Sequence, residues 1–361
     1  MPSVTKKTKS DSLASHFKKK KQQAPLWKGP YEDGITQTLL SRFIVCKERF
    51  RLLVMEGLKP TEGFEPRLEY GNLWHVCEEY HAKGRDWRNP LFVYCQTLCR
   101  RFPTQQEQID HWYNVCKCQF PIYIDYWKKH GPKNQTVEPL YQEQVFKCPY
   151  LLKGSGRIVE LLGKFDSIDL VTKNKKKAVW LQENKSKGDI DERELQQRLT
   201  FDMQTMIYRI AMDQFDLPAP IAGVRYNVIR RPLSGGRGTI KRHQPSKSNP
   251  EGESKSAFYQ RLVDDYMAKE PEYYFMRWDV DITQRDIEVF ETTFLQPCLE
   301  GLCDWWDWIT TGQGFNRYHW RLPYGVYLGA IEGKPTELDE YLKTGNMLGL
   351  TRTKELFPEL S

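Results

Sequence analysis

The apolar period of this chain changes near residue 139. Before that point Leu39, Leu40, Phe43, Ile44, Phe50 and Leu53 recur at helical spacing across 35–58. A second helix is expected over about 71–82, and the aromatic-rich stretch 88–130 reads as further helix. Beyond residue 139 the stretches 144–147, 157–162, 165–171 and 178–183 are short and β-prone, divided by polar turns. The turn at 172–177 is dense in lysine and asparagine, as an exposed hairpin connection should be. A helix over about 192–215 follows, with Leu195, Leu199, Met203, Met206, Ile207 and Ile210 on its inner face, then a strand over 221–229. Strands, a helix and a further strand in that order make a compact α/β unit.

The resulting organisation is a basic tail over 1–30, expected to be disordered, a helical N-terminal region over 31–138 and the α/β core over 139–231. Residues 232–256 are rich in Gly, Ser, Pro and Lys and read as a flexible basic insertion. Residues 257–361 add a helix (257–269), a strand (273–280) and a helix ending in Trp305, Trp306 and Trp308. No internal repeat is present.

Composition narrows the class. Hydrophobic residues make up 39% and charged residues 28% of 361, which suits a soluble globular protein. No apolar run approaches the ~20 residues needed to cross a bilayer. The basic N-terminus has no apolar segment of the secretory kind, so a cytoplasmic protein is expected. Nine cysteines, an odd number without zinc-ribbon spacing, read as reduced thiols.

Charge is unevenly placed. Residues 1–28 carry eight lysines, among them Lys18, Lys19, Lys20 and Lys21, against the single acid Asp11, which equals the net charge of +7 of the whole chain. The remainder is formally neutral. The tail suits either a solubilising arm or a non-specific phosphate-binding arm acting through counterion release. The same two readings hold for Arg237, Lys241 and Arg242 in the insertion.

The chemistry lies between the strands. Asp166 precedes Glu183-Asn184-Lys185 by sixteen intervening residues, and both pieces fall at or near the ends of neighbouring expected strands. Hairpin pairing brings the two carboxylates together, and carboxylates held close repel unless a cation lies between them. Two residues apart on a strand share a face, so Lys185 points at whatever Glu183 ligates. An ammonium there can hold an attacking water and offset charge developing on a phosphoryl centre. Glu-x-Lys alone is common: Glu253-Ser-Lys255 and Glu332-Gly-Lys334 also occur, without a matching strand context. Its company distinguishes the first: Gly163 and Asp166 precede it, and Gln204 and Tyr208 follow as an i, i+4 pair on one helix face.

The ordered series Gly163-x-x-Asp166, Glu183-x-Lys185, Gln204-x-x-x-Tyr208 resembles the PD-(D/E)XK nuclease superfamily, and specifically its RecB-like branch. Gly71-Asn-Leu-Trp-His75 resembles the upstream helix of that branch, and Thr36-Gln-Thr38 with Cys46-Lys-Glu-Arg-Phe50 resembles its opening helix. Tyr226-Asn-Val-Ile-Arg-Arg-Pro232 and Tyr273-Tyr-Phe-Met-Arg277 look like standalone nucleases of bacteriophages. The resemblance covers about residues 35–325 and implies a restriction-endonuclease-like core, a central mixed β-sheet flanked by helices, with the helical N-terminal region contributing His75.

It further implies that His75, Asp166, Glu183 and the backbone carbonyl of Asn184 ligate Mg²⁺ or Mn²⁺, with Glu143 as an additional acid on the first core strand. Lys185 orients the water, and Gln204 and Tyr208 support Lys185 or touch DNA. Many relatives also carry an iron–sulfur cluster. Here Cys46 stands at the first ligand place, but only Cys298 and Cys303 lie near the others and 315–320 has no cysteine, so the cluster is read as absent.

Trp305, Trp306, Trp308, Tyr318 and Trp320 suit either core packing or stacking on exposed bases. No G-x-x-x-x-G-K-[ST] loop, helix-turn-helix or zinc-finger pattern occurs, so neither an ATP motor nor a base-reading module is expected. The expected function is an exonuclease acting on DNA in phage or bacterial recombination or DNA processing, beside recombination or replication proteins as possible partners. An endonuclease or flap nuclease, and a catalytically silent DNA-binding protein, are the alternatives.

Overall fold

The computed structural model describes residues 25–61, 63–188, 190–232, 240–311 and 336–360. Chain order begins with β1 (Ile35–Thr36) and α1 (Gln37–Val45), followed by β2 (Leu58–Pro60). A helical layer comes next: α2 (Pro66–Ala82), α3 (Arg88–Arg101) and α4 (Gln106–His130). The core runs β3 (Gln135–Leu151), β4 (Ile158–Lys173), β5 (Lys176–Lys187), α5 (Glu192–Thr200), α6 (Met203–Met212) and β6 (Ile221–Arg230). It closes with α7 (Lys255–Leu262), β7 (Phe275–Asp281), α8 (Gln284–Phe290), α9 (Gln296–Thr311), α10 (Glu337–Thr344) and β8 (Leu350–Arg352).

Strands β1, β4, β5, β6 and β7 lie side by side in that order, with β3 also paired to β4. The β3–β4, β4–β5 and β6–β7 pairs are antiparallel. The β5–β6 pair is parallel, which requires a crossover, and α5 and α6 supply it. One apolar cluster seals α1, α6 and α9 against the sheet through Leu40, Met206, Leu299 and Trp305. A second gathers α2, α3 and α4 around Tyr70, Trp74, Leu91 and Phe120 and meets the sheet at Ile229 and Phe275. A mixed sheet flanked by helices is thus the architecture that the sequence led us to expect.

Three local expectations are corrected. The helix over 35–58 opens as a strand, since Ile35 and Thr36 pair with Leu161 and Leu162. It is then interrupted at Cys46, whose extended backbone lets its sulfur cap the next turn at Arg49 N–H. The strands at 157–162 and 165–171 are one strand running through Gly163. The helix over 192–215 breaks at Phe201 because Asp202 adopts an extended backbone and caps α6 by accepting from Thr205 N–H. Trp305 packs edge-on against Phe43 and Phe50, and Trp306 against Trp27, so these two are core. Tyr318 and Trp320 lie outside the described residues.

Asp169 on β4 is buried and accepts a hydrogen bond from Ser167 Oγ. Burial pushes its carboxyl from 3.8 up to about 6, against the pull of Ser167, Arg225 and Arg277. A folded-state value above the unfolded one means that this group favours folding at low pH. The advantage is lost as pH rises from near 4 through 6. About two pKa units at about 1.4 kcal/mol each bound the effect at about 3 kcal/mol. We expect Asp169→Asn to raise stability at pH 8, to change it little at pH 4, and so to flatten this window. Urea denaturation at the two pH values checks it.

Candidate metal centre

The β4–β5 register pairs Ser167 with Gln182, so Asp166 and Glu183 stand one step further along neighbouring strands. Asn184 N–H donates to Asp166 Oδ2 at 2.8 Å. From the other side, β3 places Gln142 opposite Ser167 and Gln144 opposite Phe165, so Glu143 comes level with Asp166. Glu143 has φ of 50°, a left-handed conformation that costs a non-glycine residue about 1 kcal/mol or more and tends to occur at functional sites.

Helix α2 brings the imidazole. Tyr70, Leu73, Trp74 and Cys77 are buried in the helical layer, where Tyr70 OH donates to Gln119 Oε1 at 2.6 Å. Gly71, His75 and Glu78 share a different face, at i, i+4 and i+7. Gly71 allows the close approach: a Cβ there would stand 3.3 Å from Ser186 Oγ on β5. His75 Nδ1 then lies 3.6 Å from Glu143 Oε1 and 3.8 Å from Asp166 Oδ1. One ligand atom from each of His75, Glu143 and Asp166 falls within 4.8 Å of the others.

Glu183 is 1% exposed. Its Oε2 accepts from Lys185 Nζ at 3.0 Å and from Gln204 Nε2 at 3.2 Å, and Lys185 Nζ also donates to Gln204 Oε1 at 3.0 Å. The period-two expectation for Glu183 and Lys185 therefore holds in geometry, and Gln204 supports Lys185. Tyr208 stands behind Gln204, which hydrogen-bonds to its hydroxyl. Its hydroxyl accepts from Lys164 N–H at 3.5 Å, and its ring packs edge-on against Phe146 and Phe165. Lys164 Nζ in turn pairs with Glu143 Oε2 at 3.1 Å.

Electrostatics follow from this packing. Burial alone would lower the His75 imidazole, but Asp166 and Glu143 carry it up to about 9. Burial opposes ionisation of Glu143, yet His75 and Lys164 hold it below the usual carboxylate range. Burial pushes Glu183 up to about 8 despite Lys185, while Glu183 and Asp202 outweigh burial and raise Lys185.

These donors fit a divalent cation. One imidazole with several carboxylates is a donor set that divalent cations accept. Glu183 Oε1 is buried without a hydrogen-bond partner, which is costly unless a ligand answers it.

The sequence singled out His75, Asp166, Glu183 and Asn184 as ligands. The structure groups His75 and Asp166 with Glu143, and turns Glu183 toward Lys185 and Gln204. It also adds residues that the sequence reading missed. Asp202 acts on both Glu183 and Lys185, and its signal was its place two residues before Gln204. Asn227 Nδ2 donates to Asn184 Oδ1 at 3.0 Å, and Asn227 Oδ1 accepts from Arg277 Nε at 2.6 Å, a partnership across β5, β6 and β7 that only the fold reveals. Lys241 and Arg242 are exposed, whereas Arg237 and Lys18 to Lys21 lie outside the described residues.

A mixed sheet carrying an acid-rich group that could hold a metal ion, beside a half-buried lysine, is an enzyme-like arrangement on an α/β scaffold. The family model of the PD-(D/E)XK nuclease superfamily matches residues 35–295, and the chain belongs to that superfamily. No curated protein matches it. Among solved structures, one titled "Crystal structure of SSO0001" is 12% identical over 90% of this chain and 93% of that one, with a TM-score of 0.27, too low to support any argument. No helix among the described residues is long and apolar enough to cross a membrane.

Proposed function

We propose that this chain is a Mg²⁺- or Mn²⁺-dependent deoxyribonuclease that acts as an exonuclease. The observation that carries the reading is the convergence of His75, Glu143 and Asp166 beside the Glu183, Lys185 and Gln204 triad. His75, Glu143, Asp166 and Glu183 would hold the cation, which when bound supplies Lewis acidity and a water of lowered pKa. Lys185, fixed by two acceptors, presents its remaining proton to the attacking water or a phosphoryl oxygen. Gln204 keeps that ammonium in place, and Tyr208 sets the height of α6 over Gly163.

Attraction for the polyanion does not depend on the tail alone. Lys187 follows Lys185 on the same face of β5, and Arg231 N–H donates to Lys187 O at 2.7 Å. Burial and the nearness of Lys185, Arg198 and Arg231 hold the Lys187 ammonium below its ordinary value. Like charges gathered in this way favour an anion between them, and a phosphate backbone supplies one. The body is formally neutral, yet Lys185, Lys187, Arg198 and Arg231 stand near one another on the Glu183 side of the site. The resemblance of Tyr226 to Pro232 to phage enzymes supports a role at DNA ends handled in recombination or repair.

The test is digestion with Mn²⁺ of end-labelled linear DNA and of covalently closed circles. Loss of label from linear DNA with intact circles supports the exonuclease. Cut circles replace it with an endonuclease, and salt-sensitive binding without any metal-dependent cleavage overturns the nuclease reading. Metal should also show in stability. Mn²⁺ at about 100 times its Kd is expected to stabilise the fold by about 2.7 kcal/mol, reversed by chelator, as read from thermal unfolding.

A further inference from the structure

Phe201 has no role in the chemistry above, yet it stands beside it. The extended cap at Asp202 separates α5 from α6 and leaves the Phe201 ring 60% exposed, more than any other described phenylalanine. A lone apolar side chain in water is ordinary, but this ring has company. Phe201, Met203, Val289, Phe290, Thr293 and Phe294 line a cleft of about 250 Å³ between the α5–α6 break and the segment 289–294. Phe290 and Phe294 stack at 5.5 Å with their planes 28° apart. Thr293 is the one polar residue of this lining, and its hydroxyl already donates to Val289 O at 2.6 Å. The cleft therefore offers a guest ring faces and methyl groups, with little to read a hydrogen-bonding edge.

Its position points to the guest. Phe201 is three residues before Gln204, so at most about 11 Å of chain separates it from the residue that holds Lys185. Phosphates of one DNA strand follow each other at about 3.4 Å along the helix axis, so a strand lying in the centre has bases within reach of the cleft. The charge of that strand is answered on the same side. Lys187 stands near Lys185, Arg198 and Arg231, and Arg198 is three residues before Phe201, sharing its charge with Glu194. Asp202, the acid next to the ring, is engaged as the cap of Thr205 N–H. A ligand with an anionic backbone and a flat apolar face fits this arrangement, and an unpaired nucleotide is such a ligand.

We infer that the cleft at Phe201 receives an unpaired nucleobase of the strand being cut, stacked on the Phe201 ring, and takes all four bases alike. The inference rests on the nuclease reading of the neighbouring centre. A base enters only by leaving the duplex stack, so the cleft favours single-stranded or frayed ends over blunt paired ones.

Fluorescence anisotropy on the full chain, with chelator present so that nothing is cleaved, tests it. The probes are a labelled single-stranded oligonucleotide and an abasic strand with the same phosphates. The wild type is expected to prefer the base-bearing strand. Phe201→Ala should bind that strand about tenfold more weakly and the abasic strand as the wild type does. Its salt dependence should stay unchanged, since no phosphate contact is removed. Phe201→Trp keeps a stacking face and should keep the preference, which serves as the second variant if Phe201→Ala does not fold. Equal weakening of both strands by Phe201→Ala, or of neither, overturns the base site. So does a changed oligomeric state of Phe201→Ala with the preference intact, which assigns the cleft to a second copy of the chain. A wild type that binds both strands alike, or neither, while still cleaving DNA overturns the base site and leaves the nuclease intact. Neither binding nor Mn²⁺-dependent cleavage by the wild type overturns the nuclease reading itself.

Discussion

Lys185→Ala is expected to lower Mn²⁺-dependent DNA cleavage by about 10²- to 10³-fold, the loss seen when one preorganised transition-state donor is removed. The size follows from how the ammonium is held. Glu183 and Gln204 both accept from Nζ at 3.0 Å, so its third proton has a fixed direction before substrate arrives. A donor fixed in advance costs no reorganisation at the moment of reaction. The variant also leaves Glu183 buried without its counter-ion, so its carboxyl rises further unless a metal is bound. Cation binding through His75, Glu143 and Asp166 should persist, which separates loss of chemistry from loss of the centre. Single-turnover cleavage measured beside Mn²⁺ titration checks this. A rate within about threefold of wild type would remove Lys185 from the mechanism.

Residues whose roles rest on short-range periodicity were legible in the sequence. Period two on a strand places Lys185 over Glu183, and the i, i+4 spacing puts Gln204 and Tyr208 on one face of α6. What periodicity cannot supply is the environment at the end of a side chain. Gln204 reaches Lys185, but Tyr208 stops one layer short, against Phe146 and the backbone of Lys164. Glu143 enters the group only because β3 turns left-handed there, and a positive φ at a glutamate has no local sequence signal. The break at Phe201 was obscured by apolar residues that keep helical spacing on both sides of it, while the cap that causes it is the single residue Asp202.

Two motif glycines that look alike in the sequence should respond in opposite directions to alanine. At Gly163 an added Cβ would stand 2.5 Å from Phe146 Cε1 and 2.6 Å from Tyr208 Cε1. Both rings are stacked or edged against Phe165 inside the core and cannot swing away. Overpacking of this kind costs about 1–3 kcal/mol, and the shift falls on Asp166 three residues on and on the helix that carries Gln204. At Gly71 the nearest obstacle is Ser186 Oγ at 3.3 Å, a hydroxyl that can rotate, and alanine gains about 1 kcal/mol over glycine inside a helix. Gly163→Ala is therefore expected to lower the unfolding midpoint and the cleavage rate together, whereas Gly71→Ala leaves the rate intact and stability equal or higher. Equal stability of Gly163→Ala and wild type would mean that Phe146 and Tyr208 do not bear on this strand. The glycine ahead of Asp166 would then have no steric reason to be there.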